Sequence, residues 1–321
     1  MNLIKLLLNV FLGSVVISQT TWADVYPDRS VTIVVAFPAG SGTDLATRII
    51  ANHAEKVFGK PFLILNKAGA NGTIGANFVA RSASDGYVLL ATSNTPMGIA
   101  PAMMEAVPYD PIRDFEPILK TGTLPSVLVS SKKNGFASLD ELRVASRERP
   151  GTINAAYGNG TGLVASAYFA EKIGAQFVNV SYQGTPQAIT DLIGGQVNIM
   201  FSDLTAAAPF IKSDKVSVIG ITTRARHPAF PAVKTLLEQG VADFEIAAWN
   251  GIFAPKNTPP AVIEKVRNAF SKSLDDARVI KQLQELGFDV NNDDKTSFRE
   301  LFEKDVSTWK SMIEKYKLKS K

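Results

Sequence analysis

The sequence predicts an α/β protein of two lobes, each built on a mostly parallel sheet flanked by helices. Strand-like runs alternate with helical periods along almost the whole chain, which is the pattern of doubly wound sheets. Two long extended runs, near residues 115–129 and 244–255, are spaced as chain crossings between two lobes. We therefore expect a discontinuous lobe 1, residues 24–122 plus 249–321, and a lobe 2 of residues 123–248.

The first 23 residues have the features of an export signal. Lys5 gives a positively charged start, residues 6–18 form an apolar core, and Thr21-Trp22-Ala23 offers a small-x-small cleavage site. The apolar run is too short to serve as a membrane anchor. We expect residues 1–23 to be removed, so that the mature chain begins at Asp24 and works outside the cytoplasm.

Composition limits the partners that the chain can have. The formal net charge is +4, and removal of Lys5 with the signal leaves +3. Nucleic-acid binding needs clustered basic residues, so we expect no nucleic-acid partner. The chain has 0 Cys, so in an oxidising compartment its stability must come from core packing rather than from disulfides.

The spacing of apolar residues predicts where the strands and helices lie. Residues 31–37 are apolar and β-branched, as in a strand covered on both faces, and residues 44–57 carry apolar side chains at helical spacing. Thr258 and Pro259 predict a helix start. Further strands are predicted at 62–65, 88–92, 126–130, around 153, 177–180, 199–201 and 216–222. Further helices are predicted near 73–82, 138–147, 161–172, 186–193, 258–274, 276–286 and 295–316.

A glycine-containing loop joins the first strand to the first helix: Phe37-Pro38-Ala39-Gly40-Ser41-Gly42-Thr43-Asp44. Its glycines let the backbone approach a ligand closely, and the unpaired N–H groups of the first helical turn favour an anion there. Thr43 or Asp44 is expected to cap the helix. A tight turn without a ligand is the alternative.

A second loop of the same type lies in the other lobe: Ala155-Ala156-Tyr157-Gly158-Asn159-Gly160-Thr161-Gly162. Ligands of open α/β sheets bind outside the carboxyl ends of the strands, where both loops are expected. Two such loops facing each other predict a cleft that holds one small anion from both sides.

Nucleotide binding and catalysis find little support. Neither loop has the Lys-Ser or Lys-Thr pair of a phosphate loop, and Leu45 and Leu163 stand where a dinucleotide fingerprint needs glycine. His53 and His227 have no acidic partner at ligand spacing, and no Gly-x-Ser-x-Gly elbow occurs. We expect no enzyme activity, no cofactor and no metal. A carboxylate pair from distant segments leaves a glycosidase-like site open.

Three groups of polar residues follow predicted strands at the ligand-facing edge: Ser93-Asn94-Thr95, Tyr182-Gln183-Gly184 and Ser202-Asp203. Each group can reach the cleft if the sheets are parallel. For Tyr182 the alternative is an aromatic ring that packs in the loop. For Asp203 it is a cap of the following turn.

An ordered series of motifs resembles the Bug-type periplasmic solute receptors, the binding components of tripartite tricarboxylate transporters. The resemblance covers nearly all of the mature chain. Its carriers are Tyr26-Pro27-Asp28-Arg29, residues 37–44, residues 66–76, Asp85-Gly86-Tyr87, Tyr109-Asp110-Pro111, residues 114–118, residues 191–197 and residues 249–255.

The resemblance implies a two-lobed, type II-like periplasmic-binding-protein (Venus-flytrap) fold, a periplasmic location and no catalysis. It also implies that the two loops hold ligand carboxylates, largely through backbone N–H groups and water. Ser41, Gln183 and Asn198 depart from the family pattern of Gly, Lys and Asp. The candidate ligand-binding residues are Phe37, Ala39, Gly40, Ser41, Gly42, Thr43, Asp44, Ser93, Asn94, Asn159, Gly160, Thr161, Tyr182 and Asp203.

The resulting hypothesis is a monomeric receptor that binds a small mono- or dicarboxylate and delivers it to membrane transporter subunits. The ligand can carry an aromatic ring beside Phe37 and Tyr182, or an amine beside Asp203. Two alternatives stay open, a secreted hydrolase on a related scaffold and a sensor subunit that presents its ligand-closed form to a membrane kinase.

Overall fold

The computed structural model describes residues 26–293 and 295–319. The predicted export signal lies outside these residues. Within them, the strands are β1 (Val31–Val35), β2 (Phe62–Asn66), β3 (Val88–Ser93), β4 (Phe115–Ser131), β5 (Ile153–Tyr157), β6 (Phe177–Ser181), β7 (Ile199–Asp203), β8 (Val216–Ile221), β9 (Ala247–Pro255) and β10 (Asp289–Asp293).

Helices alternate with these strands. The α-helices are α1 (Gly42–Phe58), α2 (Thr73–Ala80), α3 (Ala100–Met103), α4 (Leu139–Glu148), α5 (Gly160–Ile173), α6 (Thr185–Gly194), α7 (Leu204–Lys212), α8 (Pro260–Leu274), α9 (Ala277–Glu285) and α10 (Lys295–Lys315). A 3-10 turn at Ala70–Gly72 precedes α2, and a π-helix at Thr95–Ile99 precedes α3. In the described part of the chain no helix is long and apolar enough to cross a membrane.

The strand β4 belongs to both sheets of the molecule. Its residues 115–125 pair with β9 in the first sheet, and residues 126–130 pair with β7 in the second. The first sheet has the order β2-β1-β3-β9-β4 with β10 beside β4, and the second has β4-β7-β5-β6 with β8 beside β4. The chain therefore changes lobe inside one strand, and the lobe boundaries at 122/123 and 248/249 stay a prediction.

Both sheets are mixed. The strands β2, β1 and β3 run parallel to one another, as do β6, β5 and β7. The strands at the crossing, β4 and β9, pair antiparallel with their neighbours. The parallel strands carry the helices α1, α5 and α6 that follow their carboxyl ends, so those helix N-termini meet between the lobes.

Each lobe has its own hydrophobic core. The core of lobe 1 surrounds β1, β3 and β9 and includes Phe253 and Phe270, whereas lobe 2 has clusters around Phe169 and Met200. The helix α10 reaches both lobes, because Phe302 packs in the first core and Lys315, in its last turn, pairs with Glu171 of lobe 2. The last turns of the chain thus contact lobe 2, although the sequence assigns residues 249–321 to lobe 1.

Three local predictions are corrected by the structure. The helix α7 and the strand β10 were not expected, because α7 is short and contains Pro209 and β10 is rich in Asp and Asn. Pro259, not Thr258, stands at the N-cap of α8. The Thr258 hydroxyl instead donates a hydrogen bond to the Pro255 carbonyl oxygen, 2.8 Å away.

Candidate functional site

An inner chamber of about 20 Å³ lies between the lobes, where four helices begin. This volume holds about one water molecule, so the lobes are closed on each other and the chamber would have to widen to admit a ligand carboxylate. The chamber is lined by Phe37, Ser41, Gly42, Thr43, Ser93, Leu124, Asn159, Thr161, Thr185, Asp203 and Ala248. Among these lining residues Asp203 is the only one with an ionisable side chain.

An outer chamber of about 240 Å³ adjoins the inner one, and Phe37 lines both. Lobe 1 contributes Ala36, Phe37, Pro38 and the turn at residues 69–72, and lobe 2 contributes Gly158, Ser181, Tyr182 and Gln183. All of these side chains are uncharged. The site therefore consists of a small polar end and a larger neutral compartment, which suits a ligand with one anionic group and a short body.

The first loop, residues 37–44, is held by a charge network within lobe 1. The carboxylate of Asp44 accepts hydrogen bonds from the Gly40 N–H at 2.9 Å, from Arg48 Nε at 3.0 Å and from Asn66 Nδ2 at 2.8 Å. The Asn66 amide also donates to the Phe37 carbonyl oxygen. Gly40 has φ of +80°, a left-handed conformation that the network holds in place.

The cap of α1 differs from the sequence prediction. Ser41, rather than Thr43 or Asp44, is the N-cap, and its hydroxyl accepts a hydrogen bond from the Asp44 N–H. The helix therefore starts at Gly42. The N–H groups of Gly42 and Thr43 have no carbonyl one turn earlier in the helix, and both residues line the inner chamber.

The second loop, residues 155–162, is capped by Asn159 at the start of α5. The Asn159 Oδ1 accepts from the Gly162 N–H at 2.9 Å, and its Nδ2 donates to the Thr185 hydroxyl at 3.4 Å. Thr161 reaches across to lobe 1, where its hydroxyl donates to Asn94 Oδ1 at 3.2 Å and lies 3.4 Å from the Thr95 hydroxyl. This loop is thus completed by contacts with the opposite lobe.

Asp203 is the N-cap of α7, and its Oδ1 accepts a hydrogen bond from the Ala206 N–H at 2.8 Å. A Cβ atom added to Gly42 would lie 2.1 Å from this oxygen, so the carboxyl group of lobe 2 packs against the backbone of lobe 1. Burial raises the pKa of Asp203 to about 6, although hydrogen bonds from Ala206 and Thr185 lower it in part. Asp203 is therefore both the cap of α7 and a residue that lines the inner chamber.

The N-termini of α1, α5, α6 and α7 all contribute residues to the inner chamber. Each helix N-terminus carries about half a positive elementary charge and unpaired N–H groups. Their convergence gives the chamber a positive potential without any Lys or Arg in its lining. Such an arrangement can hold a carboxylate by hydrogen bonds from neutral donors.

The candidate residues separate into two groups. Phe37, Ser41, Gly42, Thr43, Ser93, Asn159, Thr161 and Asp203 line the inner chamber, and Tyr182 lines the outer one. Ala39, Gly40, Asp44, Asn94 and Gly160 line neither. Their roles in ligand binding stay predictions.

Those five residues shape the site from behind or beside it. Ala39 and Gly40 form the exposed tip of the first loop, Asp44 is buried beneath it, and Asn94 contacts Thr161. A Cβ atom on Gly160 would meet Ile99 Cγ2 at 2.6 Å, and Gly160 has no positive φ. Gly160 is therefore needed for packing against the π-helix.

Sequence reasoning missed two parts of the lining. The turn at residues 69–72 combines positive φ angles at Gly69, Ala70, Asn71 and Gly72, and it lines the outer chamber. Its Gly-x-x-Gly spacing was the available signal. Thr185 lines the inner chamber from the start of α6, and the preceding Gly184 is the cue for that helix start.

A comparison with protein families decides the relationship of this chain. A profile described as "TctC: Tripartite tricarboxylate transporter family receptor" matches residues 46–318. The chain belongs to the TctC family. The resemblance predicted from the motifs is confirmed, and this TctC-family chain is a Bug-type receptor.

Solved structures agree with this TctC assignment. The periplasmic binding protein BugD superposes with a TM-score of 0.87 at 29% identity, covering 92% of this chain and 100% of BugD. Rpa4515 of R. palustris with adipate superposes with a TM-score of 0.88 at 26% identity, covering 91% of this chain and 98% of Rpa4515. MatC (Rpa3494) from Rhodopseudomonas palustris with bound malate superposes with a TM-score of 0.84 at 29% identity, covering 90% of this chain and 100% of MatC. The predicted two-lobed periplasmic-binding-protein fold is confirmed.

Proposed function

We propose that this chain is a periplasmic receptor that binds a small mono- or dicarboxylate between its lobes and delivers it to a tripartite tricarboxylate-type transporter. The observation that carries the proposal is the convergence of four helix N-termini on one chamber between the lobes. Rpa4515 with adipate and MatC with malate, both similar to this chain, support a carboxylate ligand.

The lack of Lys and Arg among the described lining residues favours a carboxylate over a more highly charged anion. Phosphate and tricarboxylates are usually held by Arg or Lys in bidentate or multiple contacts. The chambers offer backbone N–H groups and the side chains of Ser, Thr and Asn instead. These hydrogen-bond donors suit one carboxylate in the inner chamber. A carboxylate bound there would lie at the boundary between the lobes.

The outer chamber selects the rest of the ligand. Its volume of about 240 Å³ suits a body of a few carbon atoms, and Phe37 and Tyr182 give it aromatic walls. The Tyr182 hydroxyl is hydrogen-bonded to Asp191, and burial together with this bond raises its pKa, so its ring rather than its hydroxyl is presented to the chamber. Short aliphatic or aromatic acids fit this description.

We further propose that the receptor is monomeric, performs no catalysis and is exported by removal of residues 1–23. The Thr185 hydroxyl donates to Asp203, but no His or Lys stands among the described lining residues to act as a base, and this supports ligand binding rather than turnover. An intact mass of periplasmic material is expected to match a chain beginning at Asp24. Material that retains Met1 would contradict the export proposal.

A thermal-shift screen of carboxylates, sugars, amino acids and phosphates tests the ligand class. At about 100 times the dissociation constant a ligand stabilises the folded state by roughly 2.7 kcal/mol. For a chain of this size the melting temperature should rise by about 5–10 °C. We expect shifts from small carboxylates. Shifts from sugars or phosphates alone would overturn the proposed function.

A further inference from the structure

The side chain of Asp203 occupies an unusual place for an acidic group in a receptor for anions. It extends from the N-cap of α7 in lobe 2 into the inner chamber, which Gly42 of lobe 1 and Leu124 of the crossing strand β4 also line. A Cβ on Gly42 would lie 2.1 Å from Asp203 Oδ1 and 2.8 Å from Leu124 Cδ2. The backbone of lobe 1 therefore covers one side of the carboxyl group when the lobes close, although Asp203 stays partly exposed.

The hydrogen-bond partners of this carboxyl group are all neutral. Oδ1 accepts from the Ala206 N–H at 2.8 Å, and the Thr185 hydroxyl donates to the same carboxyl group. Thr185 in turn accepts from Asn159 Nδ2 at 3.4 Å. No Lys, Arg or His stands among the residues described as lining the inner chamber, so no side-chain cation neutralises Asp203 there.

The charged groups of the surrounding helices are engaged elsewhere. On α1, Asp44 and Arg48 bind each other beneath the first loop. On α6, Asp191 is bonded to Tyr182. On α7, the Lys212 ammonium donates to the Glu285 carbonyl oxygen at 2.7 Å.

Two further elements, β4 and α5, also carry charged groups, and Lys120 on β4 acts on Asp305 of α10. On β4, Glu116 pairs with Lys256 and Arg299, eight residues before Leu124. On α5, Glu171 pairs with Lys315, about ten residues after Thr161. The helix N-termini are thus the source of positive potential that faces Asp203.

A ligand carboxylate in the same chamber would bring a second negative charge close to Asp203. Two carboxylates close together with no side-chain cation between them repel each other, and this repulsion raises the pKa of one of the two groups. Burial alone already raises the pKa of Asp203 to about 6. A bound anion shifts the equilibrium of this group further toward its protonated form.

We propose that Asp203 takes up one proton when a carboxylate ligand binds, so that the receptor captures the anion and a proton together. The protonated Asp203 then has a hydroxyl hydrogen with which it can donate a hydrogen bond to the ligand carboxylate. This inference rests on the proposed function, because it requires a carboxylate in the inner chamber.

Isothermal titration calorimetry with malate and adipate as probes tests the inference. Titrations at pH 7.5 in two buffers of different ionisation enthalpy give the number of protons exchanged. We expect uptake of nearly one proton per ligand bound. Because one proton is linked to binding, the affinity should fall about ten-fold for each pH unit above about 7.

The variant Asp203→Asn provides the contrast, because Asn keeps a good N-cap and a similar shape but cannot titrate. It should bind with proton uptake near zero and with an affinity independent of pH from 6.5 to 8.5. Asp276→Asn is the matched control, since Asp276 also caps a helix, α9, outside the chambers. This control should keep the proton uptake of the original chain.

The outcomes separate the inference from the function on which it rests. Binding of malate or adipate without proton uptake, or equal uptake by Asp203→Asn, would overturn the inference and leave the proposed function intact. Tight binding of aspartate without uptake, lost in Asp203→Asn, would assign Asp203 to a ligand ammonium and also overturn it. If no carboxylate binds the original chain, the function fails and the inference falls with it.

Discussion

The two loops that face each other across the cleft have the same local design and different support. Each follows a parallel strand, and a polar side chain caps the helix that comes next, Ser41 for the first loop and Asn159 for the second. The first loop is tied to its own lobe through Asp44, Arg48 and Asn66. The second loop is tied to the other lobe through Thr161.

This difference separates hydrogen bonds made within one lobe from hydrogen bonds made between the lobes. The first loop keeps its shape whether or not the lobes are closed, because all of its bonds lie within lobe 1. The contacts of Thr161 with Asn94 and Thr95 exist only when the lobes meet. We expect a ligand to bind the half of the site in lobe 1 first and closure to add the second half, which would couple ligand binding to closure.

The largest expected effect comes from blocking the contact between the lobes. In Gly42→Val, the new side chain would collide with Asp203 of lobe 2 on closure, since even a Cβ lies 2.1 Å from Asp203 Oδ1. We expect affinity to fall about 100-fold, equivalent to about 2.8 kcal/mol. Leu124 Cδ2, 2.8 Å from that Cβ, is the end of a flexible side chain that can move aside, so the unfolding free energy should change less than the affinity.

Gly194→Val is the matched control for that experiment. Gly194 ends α6, has no positive φ, and a Cβ there meets nothing within 4 Å. Calorimetric affinity should be unchanged in the control. Equal affinity in Gly42→Val would show that the lobes do not approach each other at this point in the bound state.

A smaller effect on affinity, with a loss of stability, is expected from breaking the support of the first loop. Asp44→Ala leaves Arg48, Asn66 and the Gly40 N–H without their acceptor. Hydrogen bonds to a charged group contribute about 1.5–3 kcal/mol, so we expect a comparable loss of unfolding free energy in denaturant titrations. Affinity should fall about 10-fold.

Asp140→Ala is the matched control for Asp44→Ala, because it removes a carboxylate from the first turn of another helix, α4. The Asp140 side chain is 92% exposed and pairs with Arg143 at 3.6 Å. Exposed pairs of this kind contribute about 0–1 kcal/mol. If Asp44→Ala were no more damaging than Asp140→Ala, the network under the first loop would not be what holds it.

The smallest effect is expected from the second loop. Thr161→Val keeps the shape of the side chain and removes the hydrogen bond to Asn94. Loss of one neutral hydrogen bond costs about 1 kcal/mol, so affinity should fall about 5-fold. Stability without ligand should stay the same, in contrast to Asp44→Ala. Thr190→Val, on the exposed side of α6, should leave affinity unchanged.

The sequence predicted the local features of the site and missed those that depend on the meeting of the lobes. Glycines between a strand and a helix identified both loops, and export and motif order predicted the receptor class. The contact of Gly42 with Asp203 depends on how β4 and β9 cross, which no local pattern encodes. The network of Asp44 with Asn66 joins residues 22 positions apart, and its geometry likewise appears only in the fold.

Small-angle scattering of the receptor with and without ligand tests the central claim, that a carboxylate bridges both lobes. The original chain is compared with Gly42→Val, each at saturating concentrations of the carboxylate that gives the largest thermal shift. The radius of gyration of the original chain is expected to decrease on saturation, whereas that of Gly42→Val should stay the same. An unchanged radius for the original chain, with binding verified by calorimetry, would contradict the account.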